Sequence, residues 1–502
     1  MHENMNEMNI VNSSERRQII GKMPLIKYSL SMMGLFVLSV FIVYITPPIL
    51  SKIFFLLLLF QFARSKNNFF WFAYFFIISQ GPGYFFADLS ITAEHRLPLY
   101  TIMSGFSFTP LDLFVILALA KAILKGKRIK LRFEKPLLLI LGYITISFIS
   151  SSIVFGSSID LLAWNFRWLF YYSIIISFAY LINSKHEVYL FIFMFFPFIF
   201  LILFLQIYYV FSGIQVINLF TPGYRENIIN FATRDVRPVM GGTLLIFFCF
   251  AFSIFLLENK DQLFPRTYLY LITASSFLSV FLSALRQFFV VFSFILAAYL
   301  IISKKKILST IGITLIGSFL IVALIMLNIL QQDFLIFSSW GRLHQVLYLL
   351  TGETRSLDAS ATGRIFSDIP IIFDAIKDSP IIGYGFSYTT MNNYNNNLGC
   401  LNTILMFGLF GFFIFIYFFY KLLKVIKFTG SRLKIENPFR IPLKLIFIIW
   451  AGILINYFTT FDYFSYYFEN TFFIALILAL TELFIRYAKN YEISNHVLNA
   501  KA

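Results

Sequence analysis

The residues in this chain best suited to chemistry are nine arginines: Arg96, Arg167, Arg225, Arg234, Arg237, Arg286, Arg342, Arg355 and Arg364. A guanidinium is a planar, permanently charged fork of donors that grips phosphate or carboxylate in a bidentate fashion. Arg286 stands in VFLSALRQFFVVF, between two apolar runs with no room for a loop. Arg167 stands in AWNFRWLFYY, about one or two turns inside another apolar run. Ionisable groups in such places are costly and face a cavity or a partner. A snorkelling or ion-paired arginine, with Asp160 or Asp235 as partner, would explain any single site. Taken together, the nine favour a binding site for an anion.

The elements that must position them are written in the hydropathy. The 502 residues are 59% hydrophobic and 20% aromatic, only 13% are charged, and the mean hydropathy is +0.80. A soluble chain carries about a quarter charged residues. Apolar runs of roughly 20 residues, enough to cross a hydrocarbon core, recur from end to end. A β-barrel would instead alternate apolar and polar residues in segments of about ten. The sequence therefore predicts an all-α polytopic membrane protein, one integral membrane domain over residues 1–502. Fourteen spans are expected, at 28–46, 48–63, 69–86, 109–124, 136–155, 160–182, 188–211, 239–257, 267–285, 287–302, 307–329, 398–420, 441–459 and 469–486. No cleavable signal peptide is read in the polar, basic first 27 residues, and Cys249 and Cys400 imply no disulfide framework.

The charge has a side. With the N-terminus inside, 29 of the 40 Lys and Arg fall on the inner face, against 10 of the 24 acidic residues. The formal charge of +16 is thus a topology signal, with both termini cytoplasmic and anionic lipid as a contact, and nucleic acid is not needed to explain it. The outer cations are different in kind: apart from Lys52 and Lys377 they are the nine arginines. Topology needs only a charge, and lysine would serve.

Two outer segments exceed turns, residues 212–238 with Tyr224, Arg225, Arg234 and Arg237, and residues 330–397. Structureless loops of the second length are uncommon unless functional. Within it, Ile365, Phe366, Ile369, Ile372, Phe373 and Ile376 have the spacing of an amphipathic helix, with Asp368, Asp374 and Lys377 on its polar side. Thr362 could cap its start and Asp378-Ser379-Pro380 ends it, so it is expected to lie along the outer membrane surface or over a cavity. Arg364 sits in its first turn. Gly383-Tyr384-Gly385, the polar stretch Asn392–Asn397, and Gly408 and Gly411 follow. The GYG triplet lacks the TVGYG context of a potassium filter.

The order of these pieces resembles the Wzy-type O-antigen polymerases and the related WaaL-type ligases. Arg286 after an apolar run, SATGR ending at Arg364, Pro380 leading into Gly383-Tyr384-Gly385, and a span carrying Gly408-Leu409-Phe410-Gly411 carry the resemblance over roughly residues 160–420. Ligases of this superfamily place a histidine about eleven residues before the first of the paired glycines. Here that position is Asn397, and the nearest outer histidine, His344, is out of register, which favours the polymerase.

The resemblance implies a glycosyl transfer at the outer face of the bacterial inner membrane. An oligosaccharide repeat unit on undecaprenyl pyrophosphate is the donor. A sugar hydroxyl on another lipid-linked unit attacks its anomeric carbon, and the lipid pyrophosphate leaves. Because pyrophosphate is a good leaving group, fixed positive charge where negative charge develops can carry the catalysis. Arg286 and Arg364 are the expected catalytic residues; Arg167, Arg225, Arg234, Arg237, Tyr384 and Asn397 are expected to bind pyrophosphate or glycan. Tyr224 and Tyr388 are further sugar-stacking candidates, with interfacial anchoring as the alternative. No His/Asp/Glu cluster has ligand spacing, so metal and cofactor independence is expected. Asp235, Glu353, Asp358 and Asp368 are all candidates for the general base. A chain-length regulator and a flippase are expected partners. The alternatives are a ligase, or a flippase or transporter. The latter is disfavoured because Asp112, Asp160, Glu469 and Glu482 all lie near span ends and no internal repeat is visible.

Overall fold

The computed structural model describes residues 22–45, 47–80, 100–103, 106–108, 110–125, 131–157, 169–182, 184–212, 242–257, 264–282, 286–302, 369–387, 399–434, 437–459 and 468–499. In chain order the helices are α1 (Lys22–Ile45), α2 (Pro48–Arg64), α3 (Asn68–Gln80), α4 (Pro110–Leu124), α5 (Glu134–Ile153), α6 (Ile174–Leu181), α7 (Lys185–Phe193), α8 (Phe196–Ser212), α9 (Thr243–Leu257), α10 (Arg266–Leu282), α11 (Arg286–Ile302), α12 (Ile369–Asp378), α13 (Gly399–Arg432), α14 (Arg440–Thr459) and α15 (Phe468–Asn499). A 3-10 turn, Tyr171–Ser173, leads into α6. The strands among the described residues form a short antiparallel hairpin, β1 (Tyr100–Met103) with β2 (Phe106–Phe108), which hydropathy did not foretell.

Thirteen of the fourteen expected spans coincide with described helices; the one at 307–329 lies outside the described residues. Among the described residues five helical stretches, one of them α7 and α8 taken together, are long and apolar enough to cross a membrane, and several shorter helices are also apolar. Helix is the form that satisfies every backbone group inside one segment, as lipid demands. Local chemistry sets the boundaries. Pro48 occupies the first position of α2, where its missing N–H leaves nothing unpaired. Ser184 and Glu187 close a reciprocal capping box on α7. Pro197 cannot donate to the carbonyl of Phe193, so the expected span is built of two helical pieces, α7 and α8, that together form one apolar stretch long enough to cross a membrane.

Packing between the helices is aromatic and close. Phe250 stacks on Phe292 at 4.0 Å, and Phe75 on Phe114 at 4.1 Å. On α14, Gly452 leaves space for Val291 and Ile295 of α11, the small-residue contact that lets membrane helices approach. Hydroxyls bridge elements inside the bundle: Ser39 to Tyr74 at 2.6 Å, Ser253 to Thr273 at 2.7 Å, and Trp450 Nε1 donating to Thr481 at 3.0 Å. Helix α15 runs through the middle and is buried along almost all of its membrane-spanning length. It also continues well past the expected end of the last span. Glu482, expected near a span end, is buried and faces Arg132.

Candidate functional site

At one end of the bundle, the outer one in the expected topology, apolar packing gives way to a layer of buried polar side chains. Asp112 (5% exposed) opens α4, Asn402 and Thr403 lie in the first turn of α13, Asn456 (0%) is near the end of α14, and Asn470 and Thr471 open α15. Tyr171 donates to Asp112 Oδ1 at 2.6 Å, and Tyr457 donates to Thr403 Oγ1 at 2.5 Å. A carboxylate in the first turn of a helix is favoured by the helix dipole, so Asp112 is well placed electrostatically.

Ring contacts fix how the helices converge beneath this layer. Phe472 of α15 meets Tyr171 and Phe114, each at 6.5 Å. The adjoining Phe473 meets Phe247 of α9 at 5.7 Å, and Phe247 meets Phe288 of α11 at 6.3 Å. Asn470 and Thr471 therefore form the hub, with Asp112 on one flank and the start of α11 on another. Arg286 is the first residue of α11, two positions before the buried Phe288. A cation in the first turn of a helix is disfavoured by the dipole by about 0.3–1 kcal/mol, whereas an anion there is favoured.

Beside this layer, α13 is not one helix. Gly408, at φ 65° and ψ −178°, breaks it into Gly399–Phe407 and a longer second half. Into the break fits the segment after α12. The N–H of Tyr384 donates to Leu405 at 2.9 Å and that of Gly385 to Met406 at 2.6 Å; the N–H groups of Leu409 and Phe410 donate to Pro380 at 2.8 Å and Ile381 at 3.2 Å. Carbonyls and amides left orphaned by the break are thereby paired, the condition for non-helical backbone at membrane depth. Gly383 and Gly385 both have positive φ, and a side chain on either would strike backbone. Helix α5 completes the joint. Tyr143 donates to the Phe407 carbonyl at 2.8 Å, and Ser151 accepts from the Phe386 N–H at 2.7 Å. Tyr143 lies ten residues from the end of α5, so the break is about 15 Å inward along it.

Helix α12 sits on this joint. It ends at Asp378, as its Asp-Ser-Pro sequence predicts; Arg364, Thr362 and Asp368 lie outside the described residues. Ile372 and Ala375 are buried, while Ile371, Phe373, Ile381 and Ile382 are exposed apolar groups. Asp374 and Lys377 form an exposed pair at 2.6 Å that raises the lysine above its ordinary value. Tyr384 is half-buried; its hydroxyl donates to the Ala375 carbonyl at 3.0 Å and its ring meets Phe155 at 5.2 Å. Tyr384→Phe is expected to lower the thermal midpoint modestly, by the worth of one hydrogen bond, about 1 kcal/mol, measured by detergent-solubilised unfolding.

Of the residues expected to form the site, Arg286 and Tyr384 are on described helices or turns. Arg167, Arg225, Arg234, Arg237, Arg364 and Asn397 lie outside the described residues. So do Arg96, Arg342, Arg355, Tyr224 and Tyr388, and the general-base candidates Asp235, Glu353, Asp358 and Asp368. Two features were missed in the sequence, the polar layer and the broken helix. Asn and Thr at the ends of apolar runs signal the first, and paired glycines in both GYG and GLFG signal the second. The described residues define a helical, membrane-embedded protein with a polar layer at one end and a discontinuous helix beside it. No protein-family model and no curated protein matches this chain.

Proposed function

We propose that the chain is a membrane glycan polymerase. It joins oligosaccharide repeat units carried on undecaprenyl pyrophosphate into O-antigen or a related surface polysaccharide. The work is done at the outer face of the bacterial inner membrane by a fourteen-span chain with both termini cytoplasmic. Arg286 and Arg364 hold the pyrophosphate as it departs. Arg167, Arg225, Arg234 and Arg237 gather the donor, and Tyr384 and Asn397 stand at the glycan side. The observation that carries this reading is the placement of Arg286 at the start of α11, level with a buried layer of hydroxyl, amide and carboxylate groups. Sugars are read by such groups, and a diphosphate is held by guanidinium at a helix start.

The chemistry needs little else. The acceptor hydroxyl attacks the anomeric carbon, the bond to the diphosphate oxygen breaks, and the proton of the hydroxyl passes to a base. Charge accumulating on the diphosphate meets preorganised cations at no further reorganisation cost. Purified protein incubated with lipid-linked repeat units should yield a ladder of lengthening chains on the carrier. Transfer to lipid A core without a ladder would mean the ligase instead, and no transfer in either assay would reject both.

A further inference from the structure

At the opposite end of the bundle, the inner one in the expected topology, a second set of cations converges with too few acceptors. Arg132 precedes α5, Arg440 opens α14, and Arg486 and Tyr487 face the same region from α15. The loop that follows α13 is pinned against this part of α15: Asn437 Nδ2 donates to the Ala488 carbonyl at 3.1 Å, and the Phe439 ring meets Tyr487 at 6.1 Å. Around this centre Arg432 and Lys489 form an exposed rim. Among the described residues Glu482 lies within range of Arg132, Arg486 and Lys489, Lys489 in turn feels Arg132 and Arg432, and Glu187 acts on Tyr487. Glu492 is already engaged, accepting from the Lys434 backbone N–H at 2.9 Å.

Glu482 does not saturate the cations. It accepts from the backbone N–H of Arg132 at 3.3 Å, but the Arg132 Nε is 3.8 Å away, beyond hydrogen-bonding distance. Arg486 donates through Nη1 to the Ala179 carbonyl at 3.4 Å, and its Nη2 has no acceptor. Arg132 Nε, Arg440 Nε and the Tyr487 hydroxyl are likewise buried without a hydrogen-bond partner. Buried donors are nearly always paired, and several orphans gathered at this end of the bundle mark the place of an acceptor that the described residues do not supply. Like charges gathered around Glu482 make the same demand.

We infer that this inner cluster is a binding site for a phosphate-bearing anion, with Arg132 and Arg486 at its centre, Arg432 and Lys489 at its rim, and Arg440 on the loop packed beside it. Phosphate supplies several acceptor oxygens to converging guanidinium groups, and at the rim of a membrane-embedded bundle the phosphodiester of an anionic lipid is the abundant source. The inference is independent of the glycan chemistry and does not stand or fall with it.

The test uses the full-length protein, stripped of lipid in neutral detergent and returned to phosphatidylglycerol, phosphatidylcholine or inorganic phosphate. Native mass spectrometry counts retained lipid, and thermal unfolding reports stabilisation. Wild-type protein should retain phosphatidylglycerol in preference to phosphatidylcholine. The R432Q/K489Q variant, altered only at exposed positions, should bind it roughly thirtyfold more weakly, at about 1 kcal/mol for each cation removed. Displacement of the lipid by millimolar inorganic phosphate would assign the site to the phosphate group alone; resistance to displacement would assign it to the lipid, and either result supports the site. Equal retention of the two lipids by wild-type protein, or unchanged phosphatidylglycerol binding by the variant, would overturn it.

Discussion

Arg286→Ala is expected to abolish long-chain glycan while the protein still inserts and is recovered in normal amount. The residue is the first of α11, a position outside the helix interior. Alanine in the first turn also relieves a cation from the positive end of a helix, so the fold should not suffer. If the guanidinium meets the departing diphosphate, the rate of chain extension should fall on the order of 10²–10³-fold, as for other preorganised charge stabilisers. Arg286→Lys separates two roles. A fixed point charge would keep most of the activity, whereas a bidentate grip would lose it nearly as completely as alanine does. Chain-length ladders on a gel read both variants. A normal ladder from Arg286→Ala would remove this arginine from the chemistry, and Arg364→Ala should behave in the same way.

Gly408→Ala should fail at the level of structure. The backbone there has a φ and ψ that glycine alone adopts readily, at a cost to other residues of about 1–3 kcal/mol. The new methyl would also run into the carbonyl of Ile381, which accepts from Phe410 and cannot withdraw without giving up that bond. The combined penalty is on the order of 3 kcal/mol or more. The expected result is low yield and a thermal midpoint several degrees below wild type. Gly411→Ala should be milder because its backbone carries no positive-φ strain, although the new methyl would meet both the Tyr143 ring and the backbone-fixed Cβ of Phe407. Equal stability of Gly408→Ala and wild type would mean that the break in α13 does not carry the joint.

The helices were legible because each is a long apolar run, for which helix is the conformation that satisfies every backbone group within the segment. Hydropathy counts residues without regard to direction, which is why it placed 398–420 correctly and missed that Gly408 interrupts it. The pairing that makes the interruption tolerable comes from Pro380–Phe386, remote in sequence from Leu405 and Met406, and no local pattern encodes it. The α12 terminus was legible because Asp-Ser-Pro ends helices anywhere. Its apolar side was read only in part: Ile372 is buried as the spacing implies, but Phe373 is half exposed because the neighbour α13 covers only one flank. At the site, the arginines advertise themselves by type. The polar layer does not, since Asn402, Asn456 and Asn470 occur singly in sequence and come to one end of the bundle only when three helix ends are assembled.

The division of α13 bears on how the chain enters its membrane. Gly399–Phe407 is nine residues, about 13 Å of helix, too short to partition into lipid as a span by itself. The portion beyond Gly408 is long enough to do so unaided. Biogenesis of this region is then a two-stage event, in which the long portion is laid into the bilayer first. The short one is drawn down afterwards, once the stretch around Gly383 has been brought alongside to occupy its exposed amides and carbonyls. Variants that weaken this alignment would be made and inserted normally yet remain unfinished at one corner, recognised by quality-control proteases as partly built molecules.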